Sequence, residues 1–293
     1  MPSNAKIRSI LVPTDFSNEA QVAFYHALRL AIALRAQLEV LHVEPENDQS
    51  DWRWGPHLVE TLIRWGYLKT GATVADLAVL GIHVRKQLIV GTDVVTATLL
   101  EVARTHCDLV VIATHGRTGL SAWLQPSVAM PLALRGTVPV LVVPAGDHGF
   151  VDSDTGGIQL SRVFVPIDHR PHPAPAFDAT KILLSALPEE PHIVATMHVG
   201  HKAPDSASFA ADARWTVLNW TADGPVLDTL LEAAQTWDAD LVVCVTEGKQ
   251  TVGDMFRGST VERLIHSLHA PILVVPDQWG TDQLGVTSGV SAA

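Results

Sequence analysis

Four short landmarks occur twice along this chain in the same order, and that duplication constrains the fold more than any single residue does. SILVPTDFS at residues 9–17 is answered by RVFVPIDHR at 162–170, each a β-branched run ending in Pro-x-Asp. LEVLHVE (38–44) is answered by IVATMHVG (193–200), CDLVVIATHG (107–116) by ADLVVCVTEG (239–248), and TVPVLVVP (137–144) by HAPILVVP (269–276). The last pair are wholly apolar runs of the kind expected for strands buried on both faces. Asp15 and Asp168, His42 and His198, and Gly116 and Gly248 are therefore counterparts. The second half is shorter between its second and fourth strands. The extra first-half segment, residues 49–84, reads as a tryptophan-rich helical insertion whose apolar side chains serve packing.

Helical stretches separate the landmarks. In residues 18–37, Ala20, Phe24, Ala27, Ala31 and Leu34 recur at helical spacing and form an apolar stripe, and Ser17 is placed to cap that helix. Strands alternating with such helices imply right-handed βαβ units and parallel sheets covered on both faces. The expected fold is α/β, with two tandem doubly wound parallel-sheet, Rossmann-like domains. The first spans residues 1–146, a linker follows at 147–159, and a shorter, more divergent second domain spans 160–277. The Gly/Asp/Ser-rich stretch at 145–160 and the aperiodic tail at 278–293 are expected to be mobile, the tail disordered. The last strands of the two halves could pair with each other as an internal pseudo-dimer, or simply fill their own cores.

Composition narrows the partners. A formal net charge of −11 repels phosphate backbones and anionic membrane surfaces, so neither a nucleic acid nor a membrane is expected. The N-terminus enters a strand pattern directly, without the basic start and apolar run of a signal peptide, and no membrane span is legible. Cys107 and Cys244 lie beside apolar runs far apart in sequence. They read as small buried hydrophobes in a reducing compartment, and a cytoplasmic location is expected.

The pieces ILVPTDFS, VLHV, DLVVIATHGRTG and PVLVVP, with weaker copies in the second half, resemble the universal stress proteins, of the adenine nucleotide alpha hydrolase-like kind. The resemblance covers nearly the whole chain as two consecutive domains. It implies a stress-response protein that binds ATP or AMP, with Mg, and acts as a sensor or regulator. Members that bind ATP share Gly-x-x-Gly, nine residues, then Gly-Ser/Thr, with an aspartate after the first strand near the adenine and a backbone contact at the end of the second. Carried over, the first half offers Pro13, Thr14, Asp15, Val43, Gly116, Arg117, Ser127 and Val128, but Ala113 and Pro126 occupy two glycine positions. The second half offers Pro166, Asp168, Val199, Gly248, Gly258, Ser259 and Thr260, with Val245 replacing only the first glycine. On this count the second half is the better phosphate site.

The physical reason is the helix N-terminus, whose unpaired N–H groups and positive dipole end attract anions. Pro126 has no N–H to give, whereas RGSTVERLI keeps its amides and forms a Ser-x-x-Glu capping box from Ser259 and Glu262. That box also suits a helix that binds nothing. Asp15 and Asp168 sit where ligands enter open α/β sheets, but each could equally be a turn or helix-capping group. His169, His172, His198 and His201 follow the first two strands of the second half; if they converge they could hold Zn or another transition metal, and if not they are loop and structural histidines. No catalytic residue is assigned: the chain has no Gly-x-Ser-x-Gly elbow, His-Glu-x-x-His, Walker loop or Gly-x-Gly-x-x-Gly, so at most slow ATP hydrolysis is expected. The rival to a nucleotide binder is a nucleotide-free interaction or scaffold protein with degraded glycine motifs, with other proteins as partners. Homodimerisation of the whole chain is left open.

Overall fold

The strands are where the apolar runs place them, and their burial explains their direction. The computed structural model describes residues 6–44, 57–91, 93–114, 128–146, 149–187, 191–204, 214–247 and 260–280. The first half runs β1 (Ser9–Pro13), α1 (Asn18–Leu34), β2 (Gln37–Glu44), α2 (Leu58–Arg64), β3 (Val84–Val90), α3 (Val94–Thr105), β4 (Leu109–Ala113), α4 (Ala129–Arg135) and β5 (Val140–Val143). A 3-10 turn, Val74–Leu80, precedes β3. The second half runs β6 (Arg162–Pro166), α5 (Ala174–Ala186), β7 (His192–Val199), β8 (Trp215–Ala222), α6 (Val226–Thr236), β9 (Leu241–Thr246), α7 (Thr260–Ser267) and β10 (Ile272–Pro276).

Among the described residues, ten strands form one sheet in the order β3-β2-β1-β4-β5-β10-β9-β6-β7-β8. Within each half every pairing is parallel, the two-faced burial of a doubly wound fold. Inner strands such as β5, β9 and β10 are buried throughout, whereas the edge strands β3 and β8 are half-buried or exposed along nearly all their length. The halves join through β5 and β10, which pair antiparallel with Val142 opposite Ile272, Leu141 opposite Leu273 and Val140 opposite Val274. Each residue faces the counterpart of its mirror neighbour, so the register has a local two-fold about the Leu141–Leu273 pair, and both leucines are wholly buried. The two tandem domains thus share one sheet.

Two apolar layers cover it. One packs α1 and α5 against the sheet, with Phe24, Leu28, Phe177 and Leu183 in its core. The other packs α3, α4, α6 and α7, with Val102, Leu132, Leu230 and Leu264. Ser17 caps α1 as expected, its Oγ accepting from Ala20 N at 3.1 Å. Trp65, from the extra segment, is buried against Tyr25 with ring centroids 5.7 Å apart. Cys107 and Cys244 are both buried free thiols, and burial pushes each up to about 12, so both stay protonated. No helix among the described residues is long and apolar enough to cross a membrane.

The stretch expected to be a mobile linker is instead a strap fastened to α1. Phe150, Val151 and Leu160 are buried in the α1/α5 layer, and Val151 and Ile158 form an antiparallel bridge around a turn that Asp152 caps through Thr155 N at 2.7 Å. Its backbone is held by side chains: Arg29 Nε donates to Gly156 O at 3.0 Å, and Trp65 Nε1 to Ser153 O at 3.0 Å. His26 Nδ1 donates to Val22 O at 2.8 Å, which leaves Nε2 to accept from Val151 N at 3.3 Å. The glycines that suggested flexibility are there because large rings lie on the backbone. A Cβ on Gly149 would come within 2.2 Å of the His26 ring, and one on Gly156 within 2.5 Å of the Trp65 ring. The start of the tail is also ordered: Asp277–Gly280 is a turn and Trp279 packs on the same layer, while residues 281–293 lie outside the described part.

Two outcomes follow from the strap. Gly156 has φ +67, so Gly156→Ala adds left-handed backbone strain to the clash with Trp65; chemical denaturation should show a loss of about 2–4 kcal/mol. Complete burial lowers His26 to about 4 from 6.5. The unfolded chain then binds the extra proton first, so this contribution is full above pH 6.5 and is lost as pH falls through 4. Urea denaturation at pH 7 and pH 4 should show about 3 kcal/mol of pH dependence that His26→Gln lacks.

Candidate functional site

In each half the chain order reverses between the first and fourth strands, so β1 and β4 diverge at their carboxyl ends, as do β6 and β9. Such switch points open the crevices in which α/β sheets take ligands. Both crevices are framed by the same bracket. Beyond β1, Thr14 N donates to Leu41 O at 2.8 Å, and the His42 ring lies with Nδ1 2.8 Å from Thr14 O. Beyond β6, Ile167 N donates to Met197 O at 2.8 Å, and His198 Nδ1 lies 3.2 Å from Ile167 O. A carbonyl only accepts, so both rings carry a proton on Nδ1 and donate it. These two histidines therefore fix the turns that carry Asp15 and Asp168; for His198 the sequence left the role between structural and ligating.

The bracket ties Thr14, between Pro13 and Asp15, to Leu41 and His42, which precede Val43; in the other half it ties Ile167, between Pro166 and Asp168, to Met197 and His198, which precede Val199. The two turns then differ. Asp15 Oδ1 accepts from Ser17 N at 3.0 Å and from Ser17 Oγ at 2.6 Å, which orients the cap of α1. Phe16 adopts φ 63, a left-handed conformation unusual for an aromatic residue, and its ring lies 4.4 Å from that of His42. Nothing in the sequence signalled either feature of Phe16. Asp168 Oδ1 instead accepts from His169 N at 2.7 Å.

On the opposite side of the crevices, Val128 stands just before α4 and Thr260 opens α7. Gly116, Arg117 and Ser127, and Gly248, Gly258 and Ser259, lie outside the described residues, as does the expected capping of α7 by Ser259. Of the residues that replace the first glycine, Ala113 ends β4 and packs against the α1/α5 core, and Val245, next to last in β9, is buried within that core. Their side chains are thus part of the packing that supports the crevice floor.

The four histidines considered as metal ligands do not form a set. His169 Nε2 is bonded to Lys202 O at 2.8 Å, His172 Nδ1 accepts from Ala174 N at 3.2 Å, and His198 Nδ1 is used by the bracket. His201 is exposed and faces Asp223 at 3.5 Å. His169 and His198 approach one another, edge to face at 5.7 Å between centroids. Among the described residues, no group of three or more His, Cys, Asp or Glu is arranged to hold a metal ion. The backbone carbonyls near these rings compete for the nitrogens that a metal would need.

Comparison with known proteins agrees with this architecture. A search of curated proteins finds no significant match to the chain. Among solved structures, a universal stress protein from Archaeoglobus fulgidus is 17% identical, with a TM-score of 0.65, over 92% of this chain and 97% of that one. A putative universal stress protein from Pseudomonas aeruginosa is likewise 17% identical, with a TM-score of 0.64, over 94% of this chain and 96% of its own. At that identity the likeness concerns the fold. The model of the universal stress protein family matches residues 6–144 and 220–276, one stretch in each half and together well over half of the sequence, and the chain accordingly belongs to the universal stress protein family.

Proposed function

We propose that this chain binds an adenine nucleotide of the ATP or AMP type at its strand-end crevices and serves as a stress-response sensor or regulator without fast turnover. The observation that supports the reading is the repeated histidine bracket at the two switch points, which ties the residue before Asp15 to His42, the neighbour of Val43, and the residue before Asp168 to His198, the neighbour of Val199. These are the positions that the family resemblance assigns to the base. The second half is the stronger site for phosphates, because Gly248, Gly258 and Ser259 keep all of the glycine pattern ahead of α7 but its first glycine, which is Val245. Backbone amides and the dipole at a helix start suit the phosphates, and Mg would accompany them as a counter-ion. Arg117 supplies a cation after Gly116 in the first half, where Pro126 removes a donor.

Native mass spectrometry of the untagged full chain tests this directly. The expected result is a mass increment of ATP, ADP or AMP, on purification or after adding millimolar nucleotide with magnesium. Gly258→Trp should weaken that binding at least tenfold, roughly 1.4 kcal/mol or more. A bare polypeptide mass at millimolar ATP and magnesium would sink the reading and leave the interaction-protein alternative.

A further inference from the structure

A cluster of charge lies at the opposite end of the first-half sheet from the crevice. Glu39, third residue of β2, is in register with Leu11 of β1 on one side and Arg85 of β3 on the other. Helix α3 brings Glu101 and Arg104 over it. Glu101 is only 3% exposed. The Arg104 guanidinium holds it through two contacts, Nε lying 2.9 Å from Oε2, and a guanidinium nitrogen also reaches within 3.9 Å of Glu39 Oε1. A cavity of about 210 Å³ adjoins the group, lined by Ser9, Gln37, Glu39, Arg85, Arg104 and Cys107 among others.

The duplication supplies an internal control. His106 and Asp238, both at positive φ, end the equivalent helices α3 and α6, which makes Glu101 and Arg104 the counterparts of Ala233 and Thr236. Strand register makes Glu39 and Arg85 the counterparts of Ala195 and Leu218. The same packing therefore closes in the second half with none of these four charges. Burying two carboxyls in contact is costly beside an apolar alternative, and two adjacent carboxylates resist ionising together. The fold does not require the cluster.

We propose that Glu39 and Glu101 form a proton-operated clasp between β2 and α3, closed while one proton is shared between the two carboxyls and loosened when it leaves. Burial first, then the hydrogen bond to Glu101 and its charge, raise Glu39 to about 7, against the opposing pull of Arg104 and Arg85. Glu101 is lowered, chiefly by its bond from Arg104, so the shared proton resides on Glu39 and is donated to Glu101. Besides Arg85 and Arg104, the charged or titratable groups at this end are the Cys107 thiol, held protonated by burial, Asp108, which accepts from the backbone N–H groups of Arg8 and Ser9 at 2.8 and 3.0 Å, His106 at the end of α3, and His83, whose carbonyl accepts from Leu38 N at 2.8 Å. Because the folded value lies above the unfolded one, the clasp's contribution is full below pH 4.5 and is lost as pH rises through 7. The clasp does not depend on nucleotide binding.

The test is amide hydrogen exchange of the full chain at pH 6 and pH 8, corrected for intrinsic rates, with α6 as the reference. In the wild type, protection of α3 should fall about tenfold between these pH values while that of α6 stays level. Glu39→Gln should abolish the difference. An equal fall in α3 and α6, or an unchanged fall in Glu39→Gln, would overturn the clasp. Should Glu39→Gln fail to fold, Glu39→Ala with Glu101→Ala copies the second-half pair; there too a flat response supports the clasp and a persistent fall overturns it. Carboxyl carbon NMR gives an independent reading, and a Glu39 titration near the ordinary carboxylate value would also overturn the proposal.

Discussion

The antiparallel pairing of β5 with β10 is the interaction on which the rest of the structure depends. It converts two five-stranded parallel sheets into one ten-stranded sheet, and it gives both apolar layers residues from both halves. The two strands are wholly apolar and buried along their length, which suits a position covered above and below and flanked on both sides. Leu141 and Leu273 face each other at the centre with no exposed surface. Truncating a leucine in such a place typically costs about 2–5 kcal/mol, so the join is part of the core and not a contact between finished domains.

Most of the fold was legible because the duplication let each weak strand signal be read twice. Runs such as PVLVVP and PILVVP name themselves as inner strands, yet an apolar run carries no mark of its neighbour's direction, so sequence left open whether they pair with each other. The strap was misjudged for a definite reason. Glycine, aspartate and serine dominate residues 145–160 by count, but Phe150, Val151 and Leu160 decide where the segment goes. Gly149 and Gly156 make room for His26 and Trp65, rings contributed by distant parts of the chain, and composition cannot reveal that.

The candidate site divides in the same way. The aspartates and strand-end valines could be found from the repeat, since the strands that carry them are themselves repeated. The bracket that joins them could not, because it relies on a ring nitrogen meeting a carbonyl across two strands. The charged group around Glu39 was hidden for a related reason: Glu39, Arg85, Glu101 and Arg104 come from three elements, and only the crossing of α3 over β2 gathers them. Conversely, the four second-half histidines follow two neighbouring strands, but local carbonyls and a helix N-terminal amide claim His169, His198 and His172 separately, and His201 faces Asp223.

Joining the halves covalently through a fastened strap changes the law that governs their pairing. Two separate subunits meeting along such strands would be held by mass action and would come apart on dilution; here each half sees the other at an effective concentration set by the chain, whatever the amount of protein present. The pair also cannot exchange members, so every molecule carries one copy of each half. That permanence frees the two halves from having to serve as each other's identical twin, and it is the condition under which one could acquire a partly buried charged cluster while the other kept alanine, threonine and leucine in the same places.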